Sequence, residues 1–223
     1  MGLHPADPWE VVNRSIFDFN DALDRSLVRP VAIAYRDAVP KLVRTGIDNF
    51  FSNIDDLWSA VNHLLQGKVH QGVEMGFRFL SNSFFGLGGI LDPASDMGLV
   101  KRSEDFGQTL GRWGVGPGPY VVLPLFGPRT LRDGLALLVD RQADPDKWID
   151  AGDGRWALFG LEVINVRVNL LPASDLLDRV AFDRYTFMRD AYLARRQDLV
   201  YDGAPPAEAF EDVPDEEAEK PKK

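Results

Sequence analysis

The chain has 223 residues, a formal charge of −9 and no cysteine. That length can bury a sizeable core, while the lack of cysteine excludes disulfides, thiolate metal sites and cysteine nucleophiles. The acidic balance excludes the basic footprint of non-specific nucleic-acid binding, and the eight acidic residues and three lysines from Asp202 onward concentrate much of the charge in a tail.

Met1–Trp9 has neither the basic nor the apolar region of a secretory signal. Trp9, Val12, Ile16, Phe19, Leu23 and Leu27 then recur at spacings of three and four and predict a helix. Pro30 and Pro40 bracket one or two further helical turns. A long apolar stripe follows in Val43, Ile47, Phe50, Ile54, Leu57, Val61 and Leu64, ending at Gly67. Another helix is expected from about Lys68, with Val69, Val73, Phe77, Leu80 and Phe84 on one face. Gly72 and Gly76 weaken that helix unless they admit a close neighbour. Such stripes are expected to supply a core and an outer apolar belt, which periodicity alone does not separate. A short helix is expected near Glu104–Trp113, and periodic sequence returns in Thr130–Val139, Trp156–Leu171 and Ala173–Leu199. The composition beyond Tyr201 predicts a disordered tail.

Two uncharged runs stand out. Phe79–Leu91 (FLSNSFFGLGGIL) is followed, after a more polar stretch, by the sixteen residues Trp113–Pro128 (WGVGPGPYVVLPLFGP), with four glycines and four prolines. The second run is too apolar for an ordinary loop and too broken for an ordinary helix or strand. No stretch is predicted to cross a bilayer as a simple helix, since this longest uncharged run is interrupted by proline. Two readings stand. The run is either an irregular connector plugging a helical core, or a rigid amphipathic ridge lining a passage for acyl chains. Arg112, Arg129 and Arg132 flank it and suit a phosphate headgroup, or pair with Glu104, Asp105 or Asp133.

Catalytic signatures are missing. His4, His63 and His70 form no metal-binding spacing and read as helix-surface residues. There is no nucleophile elbow and no phosphate-binding loop, and Gly86-Leu87-Gly88-Gly89 and Gly114-Val115-Gly116 lack the strand and acidic residue of a dinucleotide site. Asp144-Pro145-Asp146 lacks the later ligands of a calcium loop. Neither an enzyme, a metal nor a cofactor is expected.

The ordered motifs Asp7-Pro8-Trp9-Glu10, Asn13-Arg14, Phe17–Asn20, Val28-Arg29-Pro30-Val31-Ala32, Tyr35-Arg36-Asp37, Leu65-Gln66-Gly67 and Arg78-Phe79 carry a family resemblance. It is most specific in Phe106-Gly107, Thr109-Leu110-Gly111, Gly114-Val115-Gly116, Gly118-Pro119-Tyr120, Leu123-Pro124 and Thr130-Leu131-Arg132-Asp133. Over residues 7 to 200 the chain resembles the MlaA (VacJ) family of outer-membrane phospholipid-transport lipoproteins. The resemblance implies an all-α, ring- or disc-shaped helical domain over residues 1–201, with a Gly/Pro-rich amphipathic ridge around a central channel, and the acidic tail over 202–223. It implies residence in the inner leaflet of the outer membrane, and passage of mislocalised phospholipid to the periplasmic carrier MlaC, in association with a trimeric porin. Within that frame Phe84, Phe85, Leu87, Ile90, Tyr120, Val122, Leu123 and Phe126 are expected to line the lipid path. Gly86, Gly88, Gly89, Gly114, Gly116 and Gly118 are expected to act as hinges, and Arg112, Arg129 and Arg132 to meet headgroups. The family's signal peptide and lipidated cysteine have no counterpart in this sequence, and Gln142–Asp153 matches more loosely. A periplasmic module binding an apolar ligand, or a porin-associated scaffold without transport, are the alternative readings.

Overall fold

A computed structural model describes residues 4–142 and 154–205. Of the disordered tail expected over 202–223, residues 206–223 lie outside the described residues, as do Asp144-Pro145-Asp146 and most of the loosely matching Gln142–Asp153 stretch. Helix α1 (Glu10–Leu23) passes through one π-helical turn (Asp24–Val28) directly into α2 (Arg29–Ala38). The wider turn sits where Pro30 has no N–H to give and its ring would crowd the preceding turn. Pro30 therefore opens a helix of ten residues, longer than the one or two turns expected. Val39 adopts the extended backbone that a following proline imposes, and Pro40 caps the long helix α3 (Lys41–Leu65).

Gly67, with φ of 76°, reverses the chain after α3 and sends α4 (Val69–Phe85) back along it. A Cβ on Gly72 would meet Leu64 at 2.9 Å, so this glycine sets how closely the two helices approach. The short helices α5 (Pro93–Asp96) and α6 (Phe106–Arg112) start on Asp92 and Asp105, whose side chains accept from the Ser95 and Gln108 N–H groups. Strands β1 (Tyr120–Leu123) and β2 (Gly127–Thr130) then form an antiparallel hairpin, with Tyr120 opposite Thr130 and Leu123 opposite Gly127. Helix α7 (Leu131–Asp140) is capped by Thr130.

Helix α8 (Gly154–Val180) runs through Pro172, and α9 (Arg184–Val200) starts on an Asp183 cap. The periodic stretches Trp156–Leu171 and Ala173–Leu199 thus divide not at Pro172 but at Ala181–Asp183, where Asp183 accepts from the Tyr185 and Thr186 N–H groups. The fold is helical, with one hairpin where the sequence suggested an irregular ridge. The hairpin sits against α1, α7 and α9, and its Tyr120 and Val122 form the core with Tyr185, packed by Ile16, Phe17, Tyr192 and Leu193.

Candidate functional site

The expected apolar stripes point outward. On α3, Val43, Leu57, Val61 and Leu64 are exposed and Ile47, Phe50 and Ile54 half-buried, while the buried face is Asn53, Asp56, Ser59, Ala60, Asn62 and His63. On α4, Val69, Val73, Phe77, Leu80 and Phe84 are exposed, while Gly72, Met75, Arg78 and Asn82 on the opposite face are buried. Among the described residues, buried polar and charged side chains outnumber buried apolar ones. In a water-soluble domain this arrangement would be inverted.

The polar interior is held by interlocking ion pairs. Arg78, 1 % exposed, donates through Nε to Asp56 Oδ2 (3.1 Å) and through Nη2 to both Asp92 oxygens (3.1 and 3.2 Å). It also donates to the Leu99 carbonyl, while Asn82 donates to Asp92 (3.0 Å) and accepts from the Ala94 N–H. Burial pushes the Asp56 carboxyl up despite Lys101 and Arg78; at Asp92 burial acts the same way, but bonds from Ser95, Asn82 and Arg78 outweigh it and lower the pKa.

At the other end of the α3–α4 hairpin, Glu104 accepts from Gln66 (2.8 Å) and Lys68 (3.0 Å), and His63 Nε2 lies 3.1 Å from the Arg102 carbonyl. His63 is buried rather than on a helix surface, and burial lowers its pKa. A third cluster joins α6, α7 and α9: Arg196 bridges Asp105 (2.6 Å) and Asp133 (2.9 Å), and Tyr192 donates to Asp133 (2.9 Å). Burial raises the Asp133 carboxyl, yet Arg196 and Arg132 outweigh it and bring it down to about 2.

The hairpin is clamped from outside by α1. Asn13 donates to the Tyr120 carbonyl (3.0 Å) and accepts from the Val122 N–H (2.9 Å). Two turns later Asn20 repeats the pattern, donating to the Leu123 carbonyl (3.0 Å) and accepting from the Leu125 N–H (2.8 Å). The Tyr120 N–H is taken by the Ala6 carbonyl (2.7 Å). Two asparagine amides thus replace the missing neighbour strand and leave these edge groups of β1 paired. Beneath them Asp7 accepts from Asn13 (2.8 Å) and Tyr185 (2.5 Å).

Between α3 and α8 lies a cleft of about 290 Å³ lined by Asp48, Phe51, Ser52, Asp55, Glu162, Asn165, Val166 and Asn169. Asp48 accepts from Asn165 and from Asn169 (2.8 Å), and Tyr35 donates to Asn165 (3.1 Å). Among the described residues no helix is long and apolar enough to cross a membrane, and no His, Asp and Glu group is placed to hold a metal ion.

A family model described as MlaA lipoprotein matches residues 5–199. The chain belongs to the MlaA family. An "Intermembrane phospholipid transport system lipoprotein MlaA" from Shigella flexneri is 39% identical over 220 residues, covering 93% of this chain and 86% of the relative. The protein of the same description from Escherichia coli (strain K12) matches with the same figures, and that from Haemophilus influenzae is 34% identical over 94% of this chain and 85% of its own length. A solved structure, described as "Structural basis for maintenance of bacterial outer membrane lipid asymmetry", superposes with a TM-score of 0.75 at 38% identity, covering 87% of this chain and 98% of that one.

Within this MlaA-family fold the residues expected at a lipid path divide. Phe84, Phe85, Leu87 and Ile90 are exposed together around the end of α4, and Phe126 is exposed at the hairpin turn. Tyr120 and Val122 are buried in the aromatic core and face no passage, because alternate residues of β1 turn inward. Leu123 is half-buried beside α7. The two uncharged runs also attach at different places on α3. Ile90 is tied to Asn49 and Trp113 to the Leu65 carbonyl, about 24 Å apart along α3 at 1.5 Å per residue.

The hinge and headgroup residues divide as well. A Cβ on Gly86 would meet the Asn82 and Leu91 carbonyls at 2.4 Å, and one on Gly89 would meet Asn53 at 2.7 Å, so both serve close packing. Gly88, Gly114 and Gly118 have left-handed φ values, and Gly116 faces open space. Arg132 is buried, donating to Asp133 (2.9 Å) and the Val115 carbonyl (3.3 Å), which removes it from headgroup contact. Arg129 is half-buried beside a cavity of about 70 Å³ with Asp105, Asp133 and Arg196, and Arg112 is exposed. Sequence reasoning misses the Asn13 and Asn20 clamp. Its signal is the Tyr120-Val121-Val122 run between two prolines, a strand in need of a partner.

Proposed function

We propose that this MlaA-family chain lies in the inner leaflet of the outer membrane and passes mislocalised phospholipids toward the periplasm. The observation that carries this reading is the inversion of α3 and α4, with Asp56, His63 and Arg78 inside and Val61, Phe77 and Phe84 outside. An apolar exterior on helices too short or too polar to span is what a protein lying in one leaflet needs. A phospholipid headgroup that enters hydrocarbon bare loses its hydration, whereas a polar lining offers replacement partners. The cleft between α3 and α8 is our candidate for that lining, with the Asn165 and Asn169 amides and the Asp48 carboxylate at its wall. Phe84, Phe85, Leu87, Ile90, Leu123 and Phe126 would guide acyl chains, and the hairpin, held by Asn13 and Asn20, would be a fixed wall beside them. The step needs no covalent chemistry. A trimeric porin and the carrier MlaC are the partners this reading requires.

Phospholipid extraction from protein purified in a non-ionic detergent, followed by mass spectrometry, tests the proposal. Phospholipid retained in near-stoichiometric amount supports it. Protein that emerges free of phospholipid would favour a scaffold without transport.

A further inference from the structure

Among the described residues, three other than glycine have left-handed backbone: Leu87 (φ 53°), Leu125 (φ 68°) and Asp202 (φ 54°). Asp202 has local reasons for it. Its short polar side chain tolerates the conformation, and it forms an ion pair with Lys68 at 2.5 Å. The two leucines have neither property. A γ-branched apolar side chain gains nothing from a left-handed backbone, and glycine is the favoured residue at both places. Leu87 follows the end of α4 at a left-handed helix-end position, with Gly88 and Gly89 directly behind it. Leu125 sits in the three-residue turn between Leu123 and Gly127.

Nor does the fold offset the strain by burying them, since Leu87 is 70 % and Leu125 is 68 % exposed. Each stands at a turn within one uncharged run and extends an exposed apolar patch. Leu87 adjoins Phe84, Phe85, Ile90 and Leu91, and Leu125 adjoins Phe126.

We propose that Leu87 and Leu125 are membrane anchors, whose side chains insert among phospholipid acyl chains and whose backbone strain is the cost of presenting them. Acyl chains are the occupant that the surroundings favour, because exposed Phe77, Leu80 and Phe84 on α4 lead into Leu87, and exposed Leu135 and Leu138 lie on α7, against which the Leu125 hairpin packs. The inference rests on the leaflet reading above and adds two points of attachment, one after α4 and one at the hairpin turn.

Serine and glycine variants at each position separate strain from contact. Leu87→Ser and Leu125→Ser remove the apolar side chain and keep the strained backbone, whereas Leu87→Gly and Leu125→Gly remove both. Partition of the full chain onto vesicles of phosphatidylethanolamine and phosphatidylglycerol should fall about tenfold per leucine in either series. Thermal unfolding followed by circular dichroism in one detergent should place each glycine variant about 2–4 °C above its serine counterpart. Unchanged partition of variants from a wild-type chain that binds would overturn the anchors alone. Equal melting of the glycine and serine variants would overturn the strain argument, and a wild-type chain that ignores the vesicles would overturn the leaflet reading with it.

Discussion

The first uncharged run leaves Phe84 and Phe85 77 % and 72 % exposed, while the second buries Tyr120 completely. Both runs are rich in aromatic and branched side chains and interrupted by glycine, so composition does not explain the difference. The support beneath them does. The Phe84 side of α4 is backed by charge, with Arg78 locked between Asp56 and Asp92, so its apolar residues have no core to enter. The hairpin lies over α9, whose Tyr185 and Tyr192 pack on Tyr120 with ring centroids 6.2 and 6.1 Å away. A hydrophobic segment is buried only where its neighbours offer apolar surface; otherwise it needs an apolar solvent.

The sharpest way to break this contrast is truncation at its two poles. Tyr120→Ala should lower stability by about 4 kcal/mol in chemical denaturation, since it empties the aromatic core. Arg78→Met comes next, at about 3 kcal/mol by the same measurement, because it leaves Asp56 and Asp92 without their shared cation.

Acid acts on the cluster that joins α6, α7 and α9. The Asp133 carboxyl is held at about 2 against an ordinary 3.8, so its stabilisation is complete above the higher value and lost as pH falls through the lower one. That window is worth about 2 kcal/mol, and an acid titration of stability should show it in the wild type and not in Asp133→Asn. The smallest effect on stability belongs to Phe84→Ser, within about 0.5 kcal/mol in detergent. The same variant should nonetheless bind phospholipid vesicles less tightly, which no variant confined to the core would do without unfolding.

The helices are legible from periodicity. The three- and four-residue spacings in α1, α3 and α4 mark real helices, and the short helix near Phe106 lies where the sequence predicts it. What periodicity lacks is the sign of a face. Leu57, Val61 and Leu64 form the same stripe whether they meet a core or lipid. The hairpin is hidden because its prolines argue against a strand, and because its edge partner Asn13 comes from a helix 107 residues earlier. His63 is misread for a similar reason. Its neighbours Arg102 and Glu104 lie about forty positions away and meet it only when α3 and the segment before α6 pack together. The family motifs anticipate the fold and the lipid connection, but not which side chains turn inward.

Because the sequence contains no cysteine, a single introduced thiol can carry a spin label without interference. Labels at Phe84→Cys on α4 and at Leu138→Cys on α7, where Leu138 is 67 % exposed, should in the chain bound to phospholipid vesicles collide readily with oxygen dissolved in the hydrocarbon and poorly with a water-soluble nickel chelate. The reverse order at both positions would place these apolar faces in water and the chain outside the leaflet.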